Sequence, residues 1–167
     1  MAAARREPAL RLRPWRPADA REAVLLIRRA LGPAEAASAR RTFAFHAACR
    51  ARGIDDGRTY IVLCEGESLA GLAGLHHYAW GPRENVWLGW FAVDPARQGL
   101  GLGAHLLAAA EKRARAQGRR RFFIETYKSP AFANARRLYA RAGFRISGRV
   151  SRYLRGADMI VYAKDLK

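Results

Sequence analysis

The sequence predicts an α/β (α+β) domain: a mixed, mostly antiparallel central sheet of about seven strands flanked by about four helices, in the order β-α-α-β-β-β-α-β-α-β-β. Three observations predict it. Residues 60–65, 69–80 and 86–93 are apolar strand-like runs joined by short Gly-containing turns, the pattern of an antiparallel meander. Residues 93–104 (VDPARQGLGLGA) then lead through alternate glycines into an amphipathic helix. That helix feeds another apolar run at 121–125, and a helical crossover joins parallel strands.

Each element follows in order. Leu10-Arg11-Leu12-Arg13 alternates and reads as a first strand, halted by Pro14 and Pro17. Asp19 opens a helix whose Val24, Ile27 and Leu31 share one face, and Gly32-Pro33 ends it. A second helix spans 34–51, with Phe43, Phe45 and His46 as its bulky members, and 53–57 is a loop. Gly66-Glu67-Ser68 turns the first hairpin, and Gly81-Pro82 the second. In the helix after the glycines, Leu102, Leu106, Ala110 and Ala114 recur every four residues and face a core, which leaves Glu111, Lys112, Arg113 and Arg115 to water. Gly118 closes that helix, and Arg119-Arg120-Arg121 carries the chain into the strand at 121–125. A further helix at 131–142 ends on Gly143, and strands at 144–152 and 159–164 flank a turn at 154–158.

At 167 residues the chain is long enough for one domain with a proper core, expected at 9–167 behind a frayed lead-in at 1–8. No apolar run approaches the ~20 residues that span a membrane, and 1–8 lacks the apolar segment of a signal peptide. Cys49 and Cys64 show neither metal spacing nor a disulfide framework. They read as buried thiols in a reducing cytoplasm, and no metal is expected. The net charge of +17 is large enough for a nucleic-acid binder, yet the cations are spread from Arg5 to Lys167 with no aromatic-interleaved motif. Nucleic acid is therefore disfavoured as the ligand, and the bland reading is an arginine-biased solvated surface. A milder functional reading is a positive field that attracts phosphates.

The glycine turn is the most specific local signal. Alternate glycines at the entrance of a helix clear side chains from a row of backbone N–H groups, the arrangement that receives phosphate oxygens. The plain alternative is a Gly-rich connection between strand and helix. Gly99, Gly101 and Ala104 also satisfy the dinucleotide fingerprint G-x-G-x-x-A, and Glu125 imitates its ribose acid. The context is wrong for that fold: residues 94–98 separate the strand from the first glycine, one β-α-β unit is all that fits around it, and the preceding strands are antiparallel.

Gln98-x-x-Gly101-x-Gly103 resembles the acyl-CoA pyrophosphate loop [QR]-x-x-G-x-[GA] of the GCN5-related N-acetyltransferase (GNAT) superfamily. A second block, residues 134–144 (NARRLYARAGF), is similar to that superfamily's N-x-x-A-x-x-L-Y-x-x-x-G-F helix, with Arg137 read in the place of the alanine. The resemblance covers the chain from about Tyr60 onward, and before it only element order agrees. Ile124-Glu125-Thr126 and Gly156-Ala157-Asp158-Met159-Ile160 are similar to uncharacterised bacterial members, from which Tyr127 and Ala157 depart.

The resemblance implies the GNAT fold and an acyl-CoA-dependent N-acetyltransferase that moves an acetyl group from acetyl-CoA directly to a primary amine. It implies that Gln98, Gly99, Leu100, Gly101, Leu102, Gly103 and Ala104 hold the pyrophosphate. Phe91, Ala92 and Val93 would bond pantetheine through backbone, and Asn134 would contact the same arm. Tyr139 would protonate the departing thiolate. Read alone, Asn134 is equally a capping or helix-face residue, and Tyr139 is more often a core aromatic. Glu125, at the end of the parallel strand, is the candidate general base; its competing reading is a partner for neighbouring arginines. Glu84, His76 and His77 are weaker candidates, and the two histidines must point to opposite sheet faces. His46 and His105 imply no partner. The reading allows a homodimer. Two other classes stay open: a non-catalytic CoA-binding sensor of the same fold, and a basic nucleic-acid-binding domain.

Overall fold

The computed structural model describes residues 9–167. The lead-in expected at 1–8 lies outside the described residues. The strands are β1 (Leu10–Pro14), β2 (Arg58–Glu65), β3 (Ser68–His76), β4 (Asn85–Val93), β5 (Arg121–Tyr127), β6 (Arg145–Leu154) and β7 (Ala157–Asp165). The helices are α1 (Ala20–Leu31), α2 (Pro33–Ala51), α3 (Leu102–Ala116) and α4 (Ala133–Arg141). The strands form a seven-stranded sheet in the order β1-β2-β3-β4-β5-β7-β6. Its one parallel pair is β4 with β5, as the crossover through α3 demands.

Alternation along the strands sorts side chains onto two faces. Val62, Cys64, Leu72 and Ala92 pack against α1 and α2 together with Trp15, Phe43 and Tyr60. Ile61, Leu63, Leu75, Val86, Leu88, Phe122 and Ile124 pack against α3 and α4. Leu106 and Leu107 of α3 are at most 1% exposed, and truncating a leucine so placed costs about 2–5 kcal/mol.

Two departures from regularity in β4 open the sheet. Ala73 faces Phe91 across the β3–β4 pair, but Leu75 faces Leu88, so β4 carries an extra residue at Gly89-Trp90. A bulge of this kind shifts the alternation by one. Trp87 and Trp90 therefore share the α1–α2 side, while Leu88, Phe91 and Val93 face α3 and α4. The pairing of β4 with β5 stops after Leu88 and Ile124, so beyond those residues the two strands diverge.

Some expectations require correction. The strand expected at 69–80 ends at His76, whose cross-strand partner Arg58 is the first residue of β2. Tyr78 and Trp80 stack on each other instead, ring centroids 5.4 Å apart, with Trp80 86% exposed. The final hairpin is tighter than expected, with Arg155 and Gly156 as its two turn residues and Gly156 at φ +80°. Glu111, expected in water, is buried. Lys164 Nζ donates to both its carboxylate oxygens at 2.8 and 3.0 Å, and Arg115 reaches it at 3.3 Å. The ion pair ties α3 to β7 across 53 positions of sequence. His46, expected to have no partner, lies 2.8 Å from an Asp56 carboxylate oxygen through its Nδ1.

Candidate active site

The divergence of β4 and β5 leaves a cavity of about 360 Å³ that runs through the sheet. From the α3–α4 side, Leu88, Phe91, Ile124, Thr126, Ala135 and Tyr139 line it. From the α1–α2 side come Glu35, Arg58, Tyr60, His76, Trp90, Glu125 and Tyr127. Two helix–sheet layers thus meet at one opening, and each can admit a different molecule.

The glycine turn stands at the end of β4. Asp94 fixes its start: its carboxylate accepts the Ala96 N–H at 3.0 Å and is held by Arg29 at 2.7 Å, and its own N–H bonds Ala70 O at 2.9 Å. Residues Pro95–Arg97 make a single 3-10 turn, and the Gln98 side chain returns to Val93 O at 3.3 Å. Gly99 and Gly101 then adopt φ +83° and +76°, a left-handed conformation that favours glycine. A Cβ built at either meets no atom within 4 Å, so the turn borders open space. Gly103 instead packs closely, with Leu138 Cδ2 3.3 Å from its would-be Cβ, which brings α3 against α4. The first N–H groups of α3 have no intrahelical acceptor, and no acidic residue stands in its first turn. That end of α3 suits an anion.

Backbone of Phe91, Ala92 and Val93 pairs with β3 on one side. On the other side the departure of β5 leaves their edge without a strand partner. Tyr139 lies on the inner face of α4, 5% exposed, with its ring among Tyr162, Phe91 and Phe144 at centroid distances of 5.9, 6.3 and 6.5 Å. Burial pushes its phenol well above the ordinary range, so it keeps its proton at neutral pH.

Asn134 does not join this constellation. It is exposed and accepts a hydrogen bond from Arg137. Ala135 and Tyr139 of α4 line the cavity, together with Phe132 just before the helix. Laying the helix motif on its Leu138-Tyr139 pair puts its alanine at Ala135 and its asparagine at Phe132. A placement with Arg137 for the alanine is out of register with that pair, as the helical spacing of 132, 135 and 139 shows.

Glu125 lines the cavity and makes no ion pair among the described residues, so the reading of it as an arginine partner does not hold. Desolvation raises its carboxyl above the usual range. His76 also lines the cavity, whereas His77 lies in a separate polar groove with Glu84 and accepts a hydrogen bond from Arg119 Nη2 at its Nδ1, at 2.9 Å. The two histidines thus part to different sides.

Burial, followed by the charge of Arg58 and then of His77, lowers the His76 imidazole to about 4. It is neutral at pH 7. The unfolded chain takes up this proton near pH 6.5 and the folded chain does not, so stability falls as pH drops from 6.5 to 4, by about 3 kcal/mol. His76→Gln is expected to flatten that limb of a chemical-denaturation stability profile. An acid limb as steep as the parent's would show that His76 titrates normally.

Comparison with known proteins agrees with this geometry. Residues 23–144 match the acetyltransferase (GNAT) family. Blasticidin-S acetyltransferase of Streptomyces morookaense is 31% identical over 119 residues, which cover 70% of this chain and 79% of that protein. Among solved structures, a GNAT-family protein from Desulfovibrio desulfuricans is 30% identical with a TM-score of 0.85, covering 95% of this chain and 100% of that one. The structure of yncA from Salmonella typhimurium, determined with its cofactor acetyl-CoA, has a TM-score of 0.75 at 20% identity and covers 95% of both chains. At that identity the likeness is one of fold.

Proposed function

This chain belongs to the GNAT acetyltransferase family, and on that premise we propose that it transfers acetyl from acetyl-CoA directly to a primary amine within the cavity between β4 and β5. The observation that carries the reading is the meeting, in one opening, of a buried, protonated tyrosine and a partly desolvated carboxylate, at the strand β4 that leads into the glycine turn. Bound acetyl-CoA supplies an activated thioester carbonyl. The remaining work falls to the chain.

The N–H groups of residues 99–104 hold the pyrophosphate, with Gln98 shaping the turn from behind. Phe91, Ala92 and Val93 offer backbone groups along the edge that β5 has left, and Phe132, just before α4, and Ala135 of α4 wall the same channel. Tyr139 keeps its proton and can give it to the leaving sulfur. Glu125, raised by desolvation, is a stronger base than a solvated carboxylate and takes the proton of the incoming amine, directly or through one water. The acceptor enters from the α1–α2 side. The two free, buried thiols Cys49 and Cys64 favour the cytoplasm as its compartment. Among the described residues no helix is long and apolar enough to cross a membrane.

Glu125→Gln tests the base. Its kcat/KM should fall most at low pH and recover at high pH, where the amine is already neutral, with the acidic limb displaced or absent. Stability should move the other way. A carboxyl raised in the folded state favours folding while protonated and penalises it once pH passes the folded pKa, so the glutamine should match or exceed the parent melting temperature at pH 8. A parent-like pH profile would remove Glu125 from proton transfer. A loss of stability would point instead to a structural pairing.

A further inference from the structure

Arg58 opens β2, lines the cavity and uses only part of its guanidinium. Its Nη1 donates to Asp56 O at 3.3 Å and to Asp56 Oδ2 at 3.4 Å, while Nη2 and Nε donate to no acceptor among the described residues. The anchor itself is fixed. Asp56 Oδ1 accepts the Arg58 backbone N–H at 3.2 Å and lies 2.8 Å from His46 Nδ1, and both side chains of that pair are only 3% exposed. The buried His–Asp pair thus holds one nitrogen of the guanidinium, whose Cζ lies over the Phe45 ring 5.9 Å from its centroid, and Nη2 and Nε remain for a ligand.

The surroundings are unusual for a half-used cation. Its cross-strand partner on the same face is His76, neutral at pH 7. Glu35 and Glu125 line the same cavity, yet neither pairs with Arg58. Tyr78 senses both sides: after burial, the charge of Glu125 raises its phenol and that of Arg58 lowers it. Opposite charges are thus held near each other across a cavity without closing on one another, which leaves room for a molecule that carries both signs.

We propose that Arg58 is the acceptor's carboxylate receptor, so that the substrate is a compact amine bearing a carboxylate, an amino acid or close analogue. Its carboxylate takes the free guanidinium edge and its amine lies toward Glu125. The cavity volume of about 360 Å³ favours a small molecule of this kind over a folded protein segment. His46 and Asp56 are positioning residues that act through Arg58. The inference rests on the acetyl-transfer reading of the same cavity.

The test uses a matched series: an amino acid, its carboxamide and its decarboxylated amine, with the full chain at one mildly alkaline pH and each rate divided by the neutral fraction of its amine. The parent should show a kcat/KM at least tenfold higher for the acid than for the carboxamide. In Arg58→Gln that ratio should collapse to near one, and Arg58→Lys, which lacks the planar fork, should fall between. Each variant must give the parent's thermal shift with acetyl-CoA, which controls for folding. Calorimetry of the N-acetylated acid against the N-acetylated carboxamide, with CoA present, reads the same preference without turnover. A preference for the acid that vanishes in Arg58→Gln, seen by calorimetry alone, would support the receptor and refute acetyl transfer. Turnover with an acid-to-carboxamide ratio that is near one in the parent, or that persists in Arg58→Gln, would overturn the receptor and keep acetyl transfer. No turnover and no binding preference would overturn both.

Discussion

Gly101→Glu is expected to abolish acetyl-CoA binding while the protein still folds. Gly101 caps the N-terminus of α3 at φ +76°, where a side chain costs about 1–2 kcal/mol in backbone strain. No atom lies within 4 Å of the added Cβ, so the strain is not compounded by a clash. The glutamate projects into the space proposed for the pyrophosphate, and its charge near the helix N-terminus stabilises the unliganded form as the phosphates would. The parent should gain about 2.7 kcal/mol at an acetyl-CoA concentration a hundredfold above Kd, and the variant none. Gly101→Ala carries the strain without the charge and should keep part of the shift. Thermal shifts on the three proteins, with NADH as a control ligand, check this. A shift with NADH and not with acetyl-CoA would refute acetyl-CoA as the ligand of this turn.

Tyr139→Phe is expected to lower kcat by roughly 10²-fold, the low end of general-acid effects. The ring contacts with Tyr162, Phe91 and Phe144 persist in the variant, so melting temperature and acetyl-CoA affinity should hold. Because burial keeps the phenol protonated, the parent's kcat should show no loss on the alkaline side until well above pH 8. Parent-like turnover in the variant would leave sulfur protonation to water.

Much of the fold was legible because it depends on local rules. Gly66, Gly81 and Pro82 mark the meander, and the four-residue recurrence of Leu102, Leu106, Ala110 and Ala114 marks α3. The glycine turn was legible for the same reason: left-handed backbone at Gly99 and Gly101 requires a residue without a Cβ. What stayed hidden depends on partners far away in sequence. Glu111 reads as a surface acid on its helix, and only Lys164, brought in by β7, explains its burial. His46 and Asp56 are ten residues apart across the end of α2 and its loop, and neither predicts the other. The bulge at Gly89-Trp90 is written in no turn motif, yet it decides which residues of β4 face each layer. Arg58 was one arginine among many until the sheet placed it opposite His76. Asn134 lies off the cavity because helical spacing from Tyr139, not residue type, decides which side chains face it.

The measurement that tests acetyl transfer most directly is a paired count of free CoA thiol and acetylated amine, followed by mass spectrometry of the protein itself. The protein, acetyl-CoA and a panel of primary amines, amino acids included, should give thiol and N-acetylated product in equal amounts. Without an acceptor the chain should carry no added acetyl group, because transfer is direct. Thiol release no faster than in buffer across the panel, with acetyl-CoA nonetheless bound, would contradict the account, and so would an acetylated protein that delivers its group to the amine in a second step.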